Sequence, residues 1–226
     1  MRVEEIILLI PVLLFSVVAH EYAHAEAAYR QGDSTAYMLG RLTLNPLKHI
    51  DPFLTIILPV MLIAMGGPPF GGAKPVPVNP RNYRNYRVGD LIVSLAGIAT
   101  NIALFVICSV GYVLVGLLAS GLTGLGKSLA ILQSMMWVAM YVNLGLAFFN
   151  LIPLPPLDGS HVLKHLLPPA AGMKYRQLYA LGIIPILLVV WLLPDVINAF
   201  MWPVNQLLQA AWMLVGGFHL RGALPT

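Results

Sequence analysis

Long apolar runs recur along the whole chain and limit what it can fold into. Of the 226 residues, 58% are hydrophobic and only 10% are charged, whereas soluble domains average about 25% charged residues. A soluble fold of this size has too little interior to bury so much apolar surface. The pattern therefore predicts a single all-α polytopic membrane domain over residues 1–226.

Five segments are long and apolar enough to be predicted as spanning helices. They cover about residues 4–29, 89–118, 128–150, 178–194 and 202–218. The first run continues through HEYAHAEAAYR, so we interpret it as a retained helix and not as a signal peptide.

Two further segments are not typical of spanning helices. The run 53–66 reaches only about 21 Å, short of the roughly 30 Å hydrocarbon core, and prolines interrupt it. We predict a re-entrant segment there. Residues 66–80, GGPPFGGAKPVPVNP, are too rich in Gly and Pro for a helix, and KPVPV suits only the edge of a sheet. We predict a small extended or β edge near the membrane surface.

Basic residues test this topology, because Lys and Arg gather on the cytoplasmic side of a membrane. If the N-terminus is outside and 53–66 does not cross, eleven of the thirteen basic residues fall inside and only Arg2 and Lys127 fall outside. If 53–66 crosses, the basic stretch 74–87 moves outside and the asymmetry largely disappears. The inside set is Arg30, Arg41, Lys48, Lys74, Arg81, Arg84, Arg87, Lys164, Lys174, Arg176 and Arg221.

Composition also excludes some sites and partners. No basic run is interleaved with aromatic residues, so we expect no nucleic-acid partner. Cys108 is the single cysteine, which excludes an intrachain disulfide and a cysteine-based zinc knuckle. A metal site must therefore use His, Asp or Glu.

The segment HEYAH is the sharpest chemical signal in the chain. His20 and His24 lie about 40° apart around a helix, so both imidazoles can bind one metal ion, while Glu21 lies beside them. Zinc-assisted hydrolysis requires two neutral nitrogen ligands, an open position and a carboxylate as general base. A metal or proton transporter that uses the same intramembrane groups is the alternative.

Asp158, in NLIPLPPLDG, is the candidate for the third ligand. It is the only acidic residue between Asp90 and Asp195, and the non-crossing topology brings it to the side of HEYAH. Its alternative role is to cap the following helix. His161 and His165 have the same i, i+4 spacing but lie beside Lys164 without a glutamate between them, so we predict a surface face there.

HEYAH in an apolar helix with a downstream NLIPLPPLDG resembles the site-2 protease family of intramembrane zinc metalloproteases. The likeness covers roughly residues 10–160 and includes GGAKPVPV and SLAGIATN. It implies that His20, His24 and Asp158 bind one Zn²⁺, that Glu21 is the base, and that the substrates are transmembrane proteins. The chain is expected to be a compact form without a PDZ or CBS domain.

Polar residues and the loop near these motifs lead to further expectations. Asn150 either hydrogen-bonds the substrate or its oxyanion, or forms an interhelical bond. Asn101 and Ser94 in SLAGIATN are predicted to serve close helix packing, and GGAKPVPV to offer the substrate an edge.

We expect a multi-pass protein of a prokaryotic cell membrane with its active site toward the cytoplasm. Its catalytic core would cover about 4–160, with accessory helices over 178–218.

Overall fold

The computed structural model describes residues 3–65, 71–119, 121 and 123–223, and within them the fold is helical throughout, without a β-strand. The predicted all-α polytopic class is confirmed. A π-helix over Pro52–Ile57 and short 3₁₀ helices join nine α-helices. These are α1 Val3–Gln31, α2 Thr35–Met38, α3 Leu58–Ala64, α4 Tyr86–Ala119, α5 Gly126–Asn150, α6 Asp158–Leu166, α7 Pro169–Gln177, α8 Ile184–Leu192 and α9 Pro194–Val215.

Three helices of the described chain are long and apolar enough to cross a membrane: Ile7–Gln31, Tyr86–Ala119 and Gly126–Asn150. The predicted continuous helix over 178–194 is instead part of a pair, Pro169–Leu181 and Ile184–Leu192, bent by 89°. Gly182 allows the break because it adopts a positive φ of 57°. By length and composition the pair is either a broken span or a re-entrant segment. The protein is therefore a multi-pass membrane protein.

The predicted helix over 202–218 lies mostly in α9, which packs antiparallel along α5. Early in α9, Met201 approaches Gly145, whereas later the rings of Trp212 and Trp137 lie 5.2 Å apart. These contacts belong to an apolar cluster shared by α4, α5 and α9. Asn198, Asn205, Gln206 and Gln209 make α9 less apolar than the three spans.

The course of α9 corrects the predicted position of Arg221. We define the site end of the bundle as the end where α1 stops, α4 starts and α5 stops. Because α9 runs away from this end, Arg221 and Lys127 line one surface depression at the opposite end. The Leu220 N–H donates to Gln133 there at 2.8 Å. The prediction that Arg221 lies on the same side as the other basic residues is thus wrong. The bent pair returns the chain to the site end, so α9 runs opposite to the predicted direction.

The segment predicted as re-entrant forms the π-helix followed by α3. Together they span Pro52–Ala64, about 20 Å of helix, too short for the hydrocarbon core. Asp51 caps the first turn through the N–H groups of Phe53 and Leu54, both at 2.9 Å. Of the predicted loop over 66–80, residues 66–70 lie outside the described residues.

Residues 71–79 have no regular secondary structure and lie against α1. The Arg41 guanidinium donates to the Lys74 carbonyl at 2.9 Å, and the Lys74 N–H donates to the His49 carbonyl at 2.8 Å. The prolines at 75 and 77 lack N–H groups, which explains why this segment does not pair into a sheet.

Asp33 fixes the neighbouring loop to the end of α1. Its buried carboxylate accepts hydrogen bonds from the Asn79 N–H at 2.6 Å, the Asn82 amide at 2.8 Å and the Thr35 hydroxyl. Burial alone would raise the pKa of Asp33, but these hydrogen bonds outweigh it and hold that pKa below its ordinary value.

The turn that carries Asp158 is covered by the helices that follow it. Ile186 of α8 is fully buried against Ile152 and Leu157. The Tyr175 hydroxyl of α7 donates to the Pro153 carbonyl at 2.9 Å. The region 169–192 therefore packs on the proline-rich turn and holds it against the bundle.

Candidate metal centre

His20, His24 and Asp158 converge at the site end of the bundle. The two histidines follow each other by one turn of α1, and their Nε2 atoms lie 3.0 Å apart. Asp158 Oδ2 lies 3.2 Å from His20 Nε2 and 3.3 Å from His24 Nε2. The three ligand atoms thus lie within 4.8 Å of one another, close enough for one metal ion to contact all three.

The outer nitrogen of each imidazole is held by α4. His20 Nδ1 lies 2.5 Å from Asn101 Oδ1, and His24 Nδ1 lies 2.7 Å from the Val93 carbonyl. Both partners are acceptors, so each Nδ1 carries the proton and each Nε2 presents a lone pair. Such outer partners fix the tautomer and orientation that a metal-binding histidine needs.

The donor set fits a cation. Two Nε2 lone pairs and a carboxylate oxygen face one another, and Asp158 Oδ2 is buried without a hydrogen-bond partner. Ligands about 2.0–2.2 Å from a tetrahedral zinc ion are separated by about 3.3–3.6 Å, close to the spacing observed here. Burial alone would raise the pKa of Asp158, but its contacts with His24 and His20 hold that pKa below its ordinary value. The ionised carboxylate is the form that binds zinc.

Asp158 is the first residue of α6, and its side chain does not cap the helix. The N-cap position belongs to Leu157, so no side chain caps this helix. The turn is instead held by close packing, because a Cβ on Gly159 would lie 2.2 Å from the Leu151 carbonyl oxygen. The geometry thus favours the ligand interpretation of Asp158 over the capping interpretation.

Two residues of SLAGIATN contact the site more directly than sequence predicted. A Cβ on Gly97 would lie 2.5 Å from His20 Cε1 and 2.6 Å from His24 Nε2, so only glycine leaves room for both rings. Asn101, predicted to serve packing, instead holds His20. Gly97 and Asn101 are four residues apart and so lie on one face of α4, a spacing that could have identified them from the sequence.

Asn101 is itself oriented by a buried chain of hydrogen bonds. Its Nδ2 donates to Asn143 Oδ1 at 2.8 Å, and Asn143 Nδ2 donates to Ser16 Oγ at 2.9 Å. All three side chains are at most 1% exposed. The chain links α4 to α5 and returns to α1, which fixes the Asn101 oxygen toward His20.

Glu21 lies next to the ligands in sequence and accepts a hydrogen bond from the opposite segment. Its Oε2 lies 2.8 Å from the Val76 N–H. Val76 lies between Pro75 and Pro77, which have no N–H groups. The contact brings residues 74–78 beside the predicted base.

Asn150 has a partner within its own helix. Its Nδ2 donates to the Leu146 carbonyl at 2.9 Å, which leaves the second amide hydrogen and the Oδ1 oxygen for other partners. Its contact with a substrate therefore stays a prediction.

The predicted surface face of His161 and His165 is wrong. Both imidazoles face Asp90 of α4, with His165 Nε2 at 2.6 Å from Oδ2 and His161 Nδ1 at 3.2 Å from Oδ1. The His165 side chain is only 8% exposed. A carboxylate 71 residues away in sequence pulls this face inward, and the local pattern gives no sign of it.

Comparison with known proteins identifies a family. A model of peptidase family M50 matches residues 8–193. The "Putative zinc metalloprotease YwhC" of Bacillus subtilis is 39% identical over 196 residues, which are 86% of this chain and 84% of that protein. No solved structure matches the protein.

Two mycobacterial proteins, both called "Putative zinc metalloprotease Rip2", are also similar. The one from Mycolicibacterium smegmatis is 36% identical over 72% of this chain and 58% of its own length. The one from Mycobacterium tuberculosis is 33% identical over 69% of this chain and 56% of its own length. The family match includes HEYAH and LDG, whose side chains meet in the structure. The chain therefore belongs to peptidase family M50, the site-2 proteases, and is a zinc metalloprotease.

Proposed function

We propose that the protein is an intramembrane protease that hydrolyses peptide bonds in or near the transmembrane segments of other membrane proteins. The observation that carries this proposal is the meeting of His20, His24 and Asp158 around one point, with Glu21 on the adjacent helical position. These three residues would hold one Zn²⁺ per chain. The catalytic core would cover about residues 4–160, with accessory helices over 178–218.

A zinc ion held by His20, His24 and Asp158 would supply Lewis acidity, which polarises a carbonyl and acidifies water. Glu21 takes the proton from the attacking water and passes it to the leaving amine. The Val76 N–H holds Oε2 of Glu21, so Oε1 is the oxygen left to receive the proton. Asn150 would donate its second amide hydrogen to the substrate or to the developing oxyanion.

Residues 74–78 would present the substrate with an extended template. A peptide bond in a helix is shielded and already hydrogen-bonded, so the substrate must unwind before hydrolysis. The contact between Val76 and Glu21 supports this proposal, because it brings the segment next to the proposed base, and Arg41 holds the Lys74 carbonyl. Pro75 and Pro77 have no N–H groups to offer, so a substrate strand beside this segment would be held in extended form through carbonyl oxygens.

We propose that the site end faces the cytoplasm. Ten basic residues belong to this end, against Lys127 and Arg221 at the opposite end of the described chain. Arg2 lies outside the described residues. With Cys108→Ser as background, a cysteine at Lys174 should resist a membrane-impermeant maleimide in intact cells, and one at Arg221 should react. The reverse labelling pattern would contradict this orientation.

The proposed mechanism is tested by Glu21→Gln. This variant should keep its zinc and lose cleavage of a model single-span substrate, because an amide cannot accept the proton. Glu26→Gln is the matched control, since Glu26 lies on the same helix but pairs with Arg30 at 2.7 Å. It should cleave at the normal rate. Normal cleavage by Glu21→Gln, or zinc flux into liposomes without proteolysis, would overturn the proposal.

A further inference from the structure

A buried charge cluster joins α4 to α6 outside the metal centre. Asp90 of α4 is 2% exposed, and its Oδ2 lies 2.6 Å from both Lys164 Nζ and His165 Nε2. The Lys164 side chain is 7% exposed. Charges so deeply buried need good partners, so each member of the cluster depends on the others.

The helix held by this cluster begins with a proposed metal ligand. Asp158 is the first residue of α6, and Lys164 and His165 lie near its other end. Nine helical residues make a rigid rod about 14 Å long. Close packing fixes its first turn, where Gly159 leaves no space beside the Leu151 carbonyl. Asp90 holds two side chains at the far end, and Arg87 of α4 donates to the His165 carbonyl there at 3.0 Å. These contacts together set the tilt of α6.

One face of α4 contacts both histidines and the helix that carries Asp158. Asp90, Val93, Gly97 and Asn101 lie within about 80° around the helix. Val93 and Asn101 orient the two histidines, whereas Asp90 holds the helix that carries Asp158. The same rigid helix thereby places every ligand relative to the others.

We propose that Asp90 is a positioning residue for the metal centre. By binding Lys164 and His165 it fixes the tilt of α6 and so the direction in which the Asp158 carboxylate faces the two histidines. Without its charge, α6 tilts about the closely packed Gly159, and the Asp158 carboxylate turns away from the two Nε2 atoms. The inference rests on the proposed function, because it takes Asp158 as a metal ligand.

The test measures metal binding by purified full-length variants in detergent. Asp90→Asn should bind zinc roughly 10- to 100-fold more weakly, and the visible spectrum of its cobalt-substituted form should change. Lys164→Met removes one of the two contacts from the α6 side and leaves that of His165, so it should weaken zinc binding in the same direction but by less. In the double variant the loss should be no greater than in Asp90→Asn alone, because the contact with Lys164 is already weakened there.

Gln133→Leu is the matched structural control. Gln133 is fully buried at the opposite end of the bundle and donates to the Tyr112 and Phe218 carbonyls. Its replacement should lower the melting temperature of the metal-free protein and leave zinc affinity and cobalt spectrum unchanged. Asp90 would lose its proposed role if Asp90→Asn kept wild-type affinity and spectrum, or if Gln133→Leu weakened zinc binding equally.

Asp158→Ala in the same assay separates this inference from the proposed function. If Asp158→Ala loses zinc and Asp90→Asn does not, only the positioning role fails. If Asp158→Ala keeps zinc at wild-type affinity, the proposed ligand set fails, and the role of Asp90 fails with it.

Discussion

Gly97→Ala should damage the metal centre although Gly97 carries no functional group. The new methyl group would lie 2.5 Å from His20 Cε1, 2.6 Å from His20 Nε2 and 2.6 Å from His24 Nε2. Ordinary contacts of this kind begin near 3.4 Å, so one side must move by about 0.8–0.9 Å. The neighbours are the two rings of the proposed metal ligands.

The rings have little freedom to move. Both Nδ1 atoms bond to α4, at 2.5 Å for His20 and 2.7 Å for His24, so rings that retreat from α4 lengthen these bonds. Zinc sites tolerate deviations of only about 0.2 Å in ligand distance. Overpacking of this size costs about 1–3 kcal/mol. If the cost falls on metal binding, zinc affinity drops by about 5- to 160-fold.

The assay is competition for zinc between the purified protein and a chromophoric chelator, followed by cleavage of a single-span substrate at saturating zinc. Gly145→Ala is the matched control, because a Cβ there would meet only Met201 Cε at 3.9 Å. It should match wild type in both measurements. Wild-type zinc affinity in Gly97→Ala would refute the close approach of α4 to the two histidines.

Three further changes have expected outcomes. Asn101→Ala should weaken zinc binding roughly 10- to 100-fold in the chelator competition, because His20 loses the partner that fixes its tautomer; unchanged affinity would contradict that role. Gln133→Leu should lower the free energy of unfolding by about 1–3 kcal/mol, since the Tyr112 and Phe218 carbonyls lose their donor and the Leu220 N–H loses its acceptor; unchanged thermal unfolding would contradict this contribution. Asp33→Asn should lower that free energy by about 2 kcal/mol at pH 7. Because the pKa of Asp33 is lowered in the fold, its stabilisation is complete above the unfolded carboxyl pKa of about 3.9 and disappears as pH falls through the folded value. The unfolding free energies of wild type and variant should therefore draw together as pH falls below about 3.9, and a constant difference there would argue against this linkage.

Sequence predicted the parts of the site that local periodicity controls. His20 and His24 share a helical face because they are four residues apart, and a continuous α1 through HEYAH follows from its apolar run. Asp158 was found by elimination, since few acidic residues compete for the third position. The helical class followed from apolar runs that a membrane permits only as helices.

Sequence failed where contacts join distant residues. Asn101 looked like a packing residue, and His165 looked like part of a surface face, yet each has a partner more than 70 residues away. The end of the bundle at which Arg221 lies depends on the bend at Gly182, which sets the direction in which α9 runs. Hydropathy reports that a segment is apolar, but it does not report the direction in which the segment runs.

The sequence by itself determined a membrane-embedded helical chain with two histidines, a glutamate and an aspartate able to serve zinc hydrolysis. These properties depend on residue type and on spacing along a single helix. The tertiary structure alone decided how the ligands are held: α4 places Val93, Gly97 and Asn101 against the histidines and Asp90 against α6. Helix packing sets those distances, and packing is a property of whole surfaces that meet across the chain.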